Sequence, residues 1–458
     1  MYSWTINGEP QLPRACDRCH AIKERCVWPE TKTQCQRCLR LQHVCETNRP
    51  TGRPGRKPGR RRREGQPVQS HNSTRSSCHA DIPKSLSTSA HVPTDERHLL
   101  QRMLSQGRLL GPFSIASSFC EPTRKQVIPH LLLSNTLQDA LLACAISWVG
   151  DVDGQVNPGR LSTCYQYASS ALATLASLQV TNSETMADCL MLGSIVVTFA
   201  VKLRVNDISA ISARTLSLIA PVYAASDPGQ CEPLVFLSCM VMWEIGGCIF
   251  HCEVPSLRFK PPTKTYVDRH VGLCGTLLPL FYDICELSQT LAHADKDDTD
   301  VIKSIDALEQ TVQLWQPAVP EGFITSFQAV EVAHMLCQAQ VMRLAALLVM
   351  HRLRCPFGLA DAPAQALSMV ILSQLEMAFI VAEEPVRCVT LALLVACLEL
   401  KGEGRREWLP RVAVFSGYSL EFGKHVEGTL TSFWATLDSV GTISWCDLTK
   451  LGFSFLRN

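Results

Sequence analysis

Residues 14–45 read RACDRCHAIKERCVWPETKTQCQRCLRLQHVC, and this stretch decides the fold of the N-terminal part of the chain. Each half of the stretch has the spacing C-x2-C-x6-C, and eight residues separate the halves. The cysteines are Cys16, Cys19, Cys26, Cys35, Cys38 and Cys45. Paired cysteines at this spacing are typical of metal ligands, so the repeat predicts a tandem metal-binding module.

The number of thiolates limits how many ions the module can hold. Thiolates bind zinc at about 2.3 Å, usually four to an ion in tetrahedral geometry. Six thiolates cannot supply two separate sites of this kind, but they can hold two ions if two of the sulfurs bridge. The module would then have pseudo-twofold symmetry, and each half would contribute one bridging cysteine. A single four-cysteine site with two spare thiols is the competing arrangement.

A disulfide-rich secreted module also uses an even number of closely spaced cysteines. The N-terminus, MYSWTINGEPQLPR, contains no apolar core and no cleavage site, so we expect no secretory signal. The sixteen other cysteines are mostly scattered singly among apolar residues, as buried intracellular thiols usually are. Metal binding is therefore favoured over disulfides.

The spacing of the six cysteines and the ACDRC opening closely resemble the binuclear zinc cluster (Zn2Cys6) DNA-binding domain of fungal transcription factors. The resemblance implies two zinc ions per chain, with Cys16 and Cys35 as the bridging ligands. It also places Lys23 where the family commonly has a lysine that contacts the bases of a CGG triplet. His20 and Ile22 stand where the family usually has basic residues, which weakens the expectation of a CGG site but not that of a metal cluster.

The charge is distributed unevenly along the chain. Residues 14–63 contain fifteen Lys or Arg against four acidic residues, a net charge of +11. The residues after 63 carry 28 basic and 37 acidic side chains, a net charge of −9. This asymmetry indicates a polyanionic partner for the basic segment, which we expect to be double-stranded DNA. We predict that Lys23 contacts bases in the major groove and that Arg18, Arg25 and Arg37 contact phosphates.

Residues 46–63, ETNRPTGRPGRKPGRRRR, cannot form a helix because proline recurs every four residues among glycines. The stretch is similar to an AT-hook, an extended arm whose arginines, here Arg53 and Arg56, lie in the narrow minor groove of A·T-rich DNA. The alternative is a solvated basic linker that also serves as a nuclear import signal. The core of that signal would be Arg60, Arg61, Arg62 and Arg63. The two interpretations are compatible, and the basic run predicts a nuclear protein.

The expected organisation is a disordered lead-in over 1–13, the zinc-cluster domain over 14–46, the basic arm over 47–63, a disordered linker over 64–93 and a helical regulatory domain over 94–458. The linker has few large apolar residues and cannot bury enough surface to fold. Within 94–110, Leu100, Met103 and Leu104 mark one apolar face of at most two heptads, too short for a stable coiled coil. We expect no dimerisation through this segment, although monomer and homodimer on DNA both stay open.

From about residue 125 to 445, long Ala- and Leu-rich segments have helical spacing. Helices are predicted at 137–149, 163–178, 186–203, 234–250, 277–291, 330–353, 366–381, 389–400 and 427–440, with Ser134 and Ser183 as N-cap candidates. The body resembles the fungal-specific transcription factor domain, most clearly through QVMRLAALLVMHRLRCPFG and RCVTLALLVACLELKGEGRREW within 340–408. The resemblance implies an all-α regulatory domain and no particular ligand.

The most apolar run without charge, Cys189 to Val201, has thirteen residues, whereas a membrane span needs about twenty, so we expect no membrane partner. The run AHADKDDTD resembles the aspartate-rich boxes of all-helical isoprenoid enzymes, but it lies between helices, where aspartate can cap the next helix. Its aspartates are Asp295, Asp297, Asp298 and Asp300.

The sequence CIFHC, with Cys248, His251 and Cys252, has metal-ligand types at helical spacing, but its apolar neighbours favour a packed core turn. The sequence contains no Gly-rich phosphate loop, no G-x-S-x-G and no H-E-x-x-H. No enzymatic activity is predicted.

The sequence therefore predicts a nuclear, zinc-dependent, sequence-specific transcription factor that regulates RNA polymerase II transcription with co-regulators or the transcription machinery. Relatives of this kind often control secondary-metabolite or nutrient gene clusters, but nothing in the sequence selects a pathway, or activation over repression. Two alternatives stay open: a scaffold that the basic segment anchors to DNA, and an enzyme carried by the helical body.

Overall fold

The computed structural model describes residues 5–6, 9–10, 15–21, 23, 25–28, 34–47, 94–105, 114–153, 158–203, 208–226, 236–293, 299–416 and 420–451. The chain divides into two compact units, Met1–Ser77 and Cys78–Asn458. The described residues are mostly helical, which confirms the predicted fold class: a small cysteine-rich module and a large all-α body.

The first unit contains two short helices, α1 (Asp17–Ala21) and α2 (Gln36–Arg40), each of which begins directly after the first cysteine of its half. The described residues of the stretch 1–13, for which a lead-in was predicted, form two paired antiparallel strands, β1 (Thr5–Ile6) and β2 (Glu9–Pro10). Pairing gives such short strands backbone partners that sequence periodicity cannot reveal.

The second unit is built from helices, and a long described segment, 252–274, separates two of them. The helices are α3 (Thr94–Ser105), α4 (Cys120–Leu133), α5 (Asn135–Asp153), α6 (Pro158–Ser177), α7 (Ser183–Leu203), α8 (Ile208–Ala225), α9 (Leu237–His251), α10 (Leu278–His293), α11 (Thr299–Leu314), α12 (Phe323–Ser326), α13 (Ala329–Arg354), α14 (Asp361–Ala382), α15 (Thr390–Leu398), α16 (Gly402–Ser416) and α17 (Leu420–Val440). Three 3-10 turns, Ser117–Phe119, Gly275–Leu277 and Trp445–Leu451, complete the described elements.

The structure shows which residue caps α7 and where the apolar face of α3 lies. The Oδ1 of Asn182 accepts a hydrogen bond from the N–H of Thr185 at 2.9 Å, so Asn182 and not Ser183 caps α7. The apolar face of α3, formed by Leu100, Met103 and Leu104, is buried in the core of the helical unit, where α3 packs against α5. That face is therefore occupied within the unit.

The helices approach closely at two glycines. A Cβ at Gly193 on α7 would lie 2.3 Å from the Oγ1 of Thr215 on α8, and one at Gly423 on α17 would lie 2.4 Å from the Cβ of Ala413 on α16. Real Cβ atoms do not come this close to their neighbours, so both helix pairs need glycine at the contact. Any larger residue would force the helices apart and cost packing contacts.

A buried ion network joins three helices. Arg352 on α13, with 1% of its side chain exposed, donates to both carboxylate oxygens of Glu399, which follows α15. It also pairs with Asp361 at the start of α14 at 2.8 Å and donates to the carbonyl oxygens of Pro356 and Leu359. Because the charged groups of this network hydrogen-bond to one another and to backbone carbonyls, the charges can be buried without being left unpaired.

The apolar helices are longer than the charge-free runs suggested. Cys189 to Val201 lies within α7, which has 21 residues, and by length and composition alone α7, α8, α13 and α14 are long enough to cross a membrane. The expectation that no apolar segment is long enough to cross a membrane was therefore wrong. In α7, 78% of the most apolar window is buried inside the helical unit, whereas in α14 the share is 28%.

Candidate metal centre

The six cysteines of the first unit converge on two groups of four sulfurs. One group contains Cys16, Cys19, Cys26 and Cys35, and the other contains Cys16, Cys35, Cys38 and Cys45. Within each group the ligand atoms all lie within 4.8 Å of one another. The groups therefore share two sulfurs, those of Cys16 and Cys35, which are the first cysteines of the two halves.

The distances between the sulfurs fit tetrahedral zinc. A tetrahedron with zinc–sulfur bonds of about 2.3 Å has edges of about 3.8 Å. The Sγ of Cys16 lies 3.8 Å from that of Cys35 and 3.7 Å from that of Cys38, and the Sγ of Cys35 lies 3.8 Å from that of Cys19. A disulfide needs sulfurs about 2.0 Å apart, so these cysteines are thiols in ligand geometry.

Backbone N–H groups point at the sulfurs in the same way in both halves. The N–H of Cys19 donates to the Sγ of Cys16 at 3.4 Å, and the N–H of Cys38 donates to the Sγ of Cys35 at 3.4 Å. Across each half, the N–H of Cys16 donates to Cys26, and the N–H of Cys35 to Cys45, both at 3.3 Å. Hydrogen bonds to sulfur stabilise the thiolate form, which is the metal ligand.

Two further backbone hydrogen bonds tie the halves together. The N–H of Asp17 donates to the carbonyl oxygen of Glu46 at 2.8 Å, and the N–H of Gln36 donates to that of Val27 at 2.9 Å. The residues of each pair stand nineteen positions from their counterparts in the other pair, as do all the cysteines. The module therefore has pseudo-twofold symmetry in its backbone as well as in the arrangement of its sulfurs.

Burial and neighbouring groups give the thiols different acidities. Burial raises the pKa of Cys35, but hydrogen bonds from the N–H of Cys38 and from neighbouring thiols lower it to about 6. The pKa of Cys16 is also lowered, because the N–H of Cys19 and the thiols around it outweigh burial. Burial and the sulfurs of Cys16 and Cys35 raise the pKa of Cys19 to about 12. The two shared sulfurs are thus the two whose thiolate form is favoured.

The basic residues of the first half lie on the surface near α1. Arg18, Lys23 and Arg25 are exposed, whereas Arg37 is half-buried. Lys23 has φ of +55°, a left-handed backbone, and its pseudo-twofold counterpart Gln42 has φ of +51°. The matching backbone turns show that the module repeats its geometry at this position, whereas the cation of the first half is replaced by a neutral amide in the second.

The second half of the module has apolar side chains at two positions where the first half is basic or polar, Leu39 in place of His20 and Val44 in place of Arg25. Both Leu39 and Val44 are exposed. Sequence reasoning missed this difference between the halves. The nineteen-residue repeat could have revealed it, because aligning the halves pairs Arg25 with Val44.

Several other predicted residues lie outside the described residues or away from the metal centre. Arg53, Arg56 and the basic run at 60–63 fall outside the described residues, as do Asp295, Asp297 and Asp298. Asp300 stands in the first turn of α11 and pairs with Lys303 at 3.0 Å. Within the part of the chain that the structure describes, the groups of three or more potential metal ligands consist of the six module cysteines, so Cys248, His251 and Cys252 are not among them.

Comparison with known proteins identifies the class. Residues 108–456, about three quarters of the chain, match the family described as the fungal specific transcription factor domain. The chain therefore belongs to this transcription factor family, which confirms the resemblance predicted from the sequence.

The curated protein described as "C6 finger transcription factor traC", from Penicillium crustosum, is 48% identical to this chain over 52 residues. The match covers 11% of this chain and 12% of that relative. No solved structure matches the chain.

Proposed function

We propose that this transcription factor binds double-stranded DNA sequence-specifically through a zinc cluster and regulates RNA polymerase II transcription in the nucleus. The observation that carries the proposal is the pair of four-sulfur groups that share Cys16 and Cys35. Six thiolates in this arrangement complete two tetrahedral sites, with two sulfurs bridging. The similarity to the traC protein, which is described as a C6 finger transcription factor, supports the same proposal.

The six cysteines would hold two zinc ions, which supply cross-links between the two halves. Each half contributes one short helix and little apolar surface, and the cysteines form the module's buried cluster together with the half-buried Trp28. A module of this size cannot bury enough surface to fold alone, so its folding would be coupled to metal binding. The bridging sulfurs would fix the angle between α1 and α2, and with it the position of the basic residues.

The exposed cations of the first half would make the DNA contacts. Lys23 stands just after α1 with a left-handed backbone, and the residue is exposed. We assign it to base contacts in the major groove of a CGG-like site, and Arg18, Arg25 and Arg37 to phosphates. In the second half, Gln42 at the equivalent turn carries no charge, so the first half would be the half that reads sequence.

The remaining parts of the chain would serve this binding. Residues 47–63 would be a basic arm, with Arg53 and Arg56 contacting DNA and residues 60–63 serving nuclear import, and residues 64–93 would be a linker. Residues 94–458 would be the regulatory domain that contacts co-regulators. The strongly basic segment predicts binding that weakens steeply with salt.

Selection from random duplex DNA with the full-length protein tests the proposal. One arm uses zinc-loaded protein, and the other uses protein stripped with a chelator and kept metal-free. Enrichment of a common triplet only in the zinc arm would support the cluster as the reader. Enrichment of A·T-rich sites in both arms would move recognition to the basic arm, and no enrichment in either arm would refute sequence-specific binding.

A further inference from the structure

Helix α14 is long and apolar, yet much of it faces away from the core of the helical unit. Only 28% of its most apolar window is buried, against 78% in α7. Five of its large apolar side chains are 44–75% exposed, and their spacing in sequence puts them on one side of the helix. We call this side, with the exposed Ser373 at its centre, the α14 face; its residues are Met369, Val370, Ser373, Met377, Ile380 and Val381.

The α14 face carries no charge. Every exposed residue of α14 from 362 to 382 is Ala, Pro, Ser, Met, Val or Ile. The acidic residues of the helix have their own partners: Asp361 pairs with Lys401 at 2.6 Å, and Glu376 pairs with Arg411 at 2.7 Å. A helix whose outer side meets water normally has charged or polar residues there, so this face is typical of one that another surface covers.

The area of the α14 face matches what a dimer needs. Together with the exposed Ala362 and Ala366 at its start, the face exposes roughly 600 Å², whereas a standard interface covers about 800 Å² on each partner. About two thirds of a homodimer interface is apolar. One α14 face therefore supplies the apolar part of one side of such an interface.

The sizes of the side chains along the face favour a second copy in antiparallel orientation. The small Ala366 lies near the start of the face, and the large Ile380 lies near its end. A parallel pair would set alanine against alanine and leave a gap. An antiparallel pair centred on Ser373 sets Ala366 of each copy against Ile380 of the other, so that small side chains receive large ones at the density of a protein interior.

The charges at the two ends of α14 favour the same orientation. Glu383 and Glu384 are exposed at its C-terminal end, so a parallel pair would bring four like charges together. At the start of α14, Arg352 and Lys401 balance the charges of their two acidic partners. In an antiparallel pair the acidic end of each helix therefore faces a neutral end of the other, which is also the positive end of its helix dipole.

We propose that the α14 face binds a second copy of this chain, with the two α14 helices packed antiparallel about a two-fold axis at Ser373. Such a contact uses the same face on both copies and closes as a dimer. The dimer carries two zinc modules, one on each copy. Because the face lies wholly within the helical unit, its pairing does not depend on the zinc cluster or on DNA.

Sedimentation velocity of the full-length zinc-loaded protein, over a range of concentrations, tests this. The wild-type protein should convert from monomer to dimer as its concentration rises into the micromolar range. Ile380→Asp should weaken dimerisation at least about tenfold, because each dimer would bury two unpaired carboxylates. Leu314→Asp is the matched control, since Leu314 on α11 is 73% exposed and lies outside the face, and it should change nothing.

Cross-linking tests the orientation. Ser373→Cys should form a disulfide-linked dimer with oxidised glutathione, because the two-fold axis brings this position against itself. Ser217→Cys, at an exposed serine on α8, and the wild-type protein give the background from the native cysteines. Ala366→Cys protein mixed with Ile380→Cys protein should cross-link, whereas Ile380→Cys protein alone should not link to itself.

The proposal would be overturned by a wild-type protein that stays monomeric at every concentration, or by a dimer that Ile380→Asp leaves as tight as Leu314→Asp does. Self-linking of Ile380→Cys protein would overturn the antiparallel orientation. Another occupant of the face would be an anionic lipid surface. Binding of the monomer to phosphatidylserine vesicles, lost in Ile380→Asp, would assign the face to lipid and refute the dimer.

Discussion

The Sγ atoms of Cys16 and Cys35 lie 3.8 Å apart, and both sulfurs belong to each of the two four-sulfur groups of the module. No other pair of the six cysteines is common to both groups. These two residues start the two halves, and each accepts the N–H of the cysteine three residues later. The pair is therefore the link on which both proposed metal sites depend.

Replacing Cys35 with alanine should release both zinc ions, because each four-sulfur group loses a ligand. Replacing Cys19, which belongs to one group, should leave the other group complete and retain one ion. Native mass spectrometry of the full-length protein counts the ions directly. Retention of one ion by C35A would argue against bridging and favour the single four-cysteine site.

Replacing Lys23 with alanine should reduce the difference in binding free energy between the selected duplex and a duplex changed in the triplet. The expected reduction is about 1–3 kcal/mol, the value of a good base contact. Gln42→Ala is the matched control, since Gln42 has the same left-handed backbone in the other half and carries no charge. The measurement is affinity for the selected duplex and for duplexes with single changes in the triplet. A uniform loss across all duplexes would show that Lys23 contacts phosphate.

Replacing Arg352 with alanine should destabilise the helical unit by about 3–5 kcal/mol, because buried Glu399 would lose its partner. Arg411→Ala is the control, since Arg411 pairs with Glu376 where both side chains are 37% exposed, and it should cost at most about 1 kcal/mol. Urea unfolding measures both. Similar losses for the two variants would show that the buried network contributes no more than a surface pair.

Glu331 predicts a pH-dependent contribution to stability. Burial raises its pKa, but donors from Ser118, Ser117 and Gln328 outweigh this and hold the pKa below the ordinary value of 4.5. A depressed pKa adds stability that is present above the ordinary value and is lost as the pH falls through the folded-state value. E331Q should therefore cost about 1 kcal/mol at pH 7.

The cost of E331Q should shrink as the pH falls below 4.5, the range in which the wild-type carboxylate loses its charge. Urea unfolding at pH 7, 5, 4 and 3 measures the difference, with exposed Glu321→Gln as the control. A wild-type advantage that stays constant down to pH 3 would contradict the role of the charged form.

Cysteine spacing was enough to predict the module, because metal ligands fix a local pattern. The two carbonyl oxygens of Val27 and Glu46 that join the halves could not be predicted, because each accepts from the other half. In the helical unit, α4, α8, α11 and α16 were not among the predicted helices, and α8 and α16 each contain an internal proline, Pro221 and Pro410. Proline normally ends a helix, but here tertiary packing outweighs its cost of about 3 kcal/mol.

The segment 266–270 shows a second limit of sequence reasoning. Asp268 and Arg269 are adjacent in sequence and look like a neutral pair, whereas the structure surrounds Asp268 with donors and leaves the Nη1 of Arg269 without an acceptor among the described residues. The side chains that decide this, Ser238 and Tyr266, belong to different segments. Periodicity cannot indicate such long-range hydrogen bonding.

The most direct test of the account is fluorescence anisotropy of the full-length protein with its selected duplex and with a scrambled duplex of equal length. Zinc-loaded protein should prefer the selected duplex, metal-stripped protein should lose that preference, and added zinc should restore it. Equal preference with and without zinc would contradict the claim that the six-cysteine cluster reads DNA.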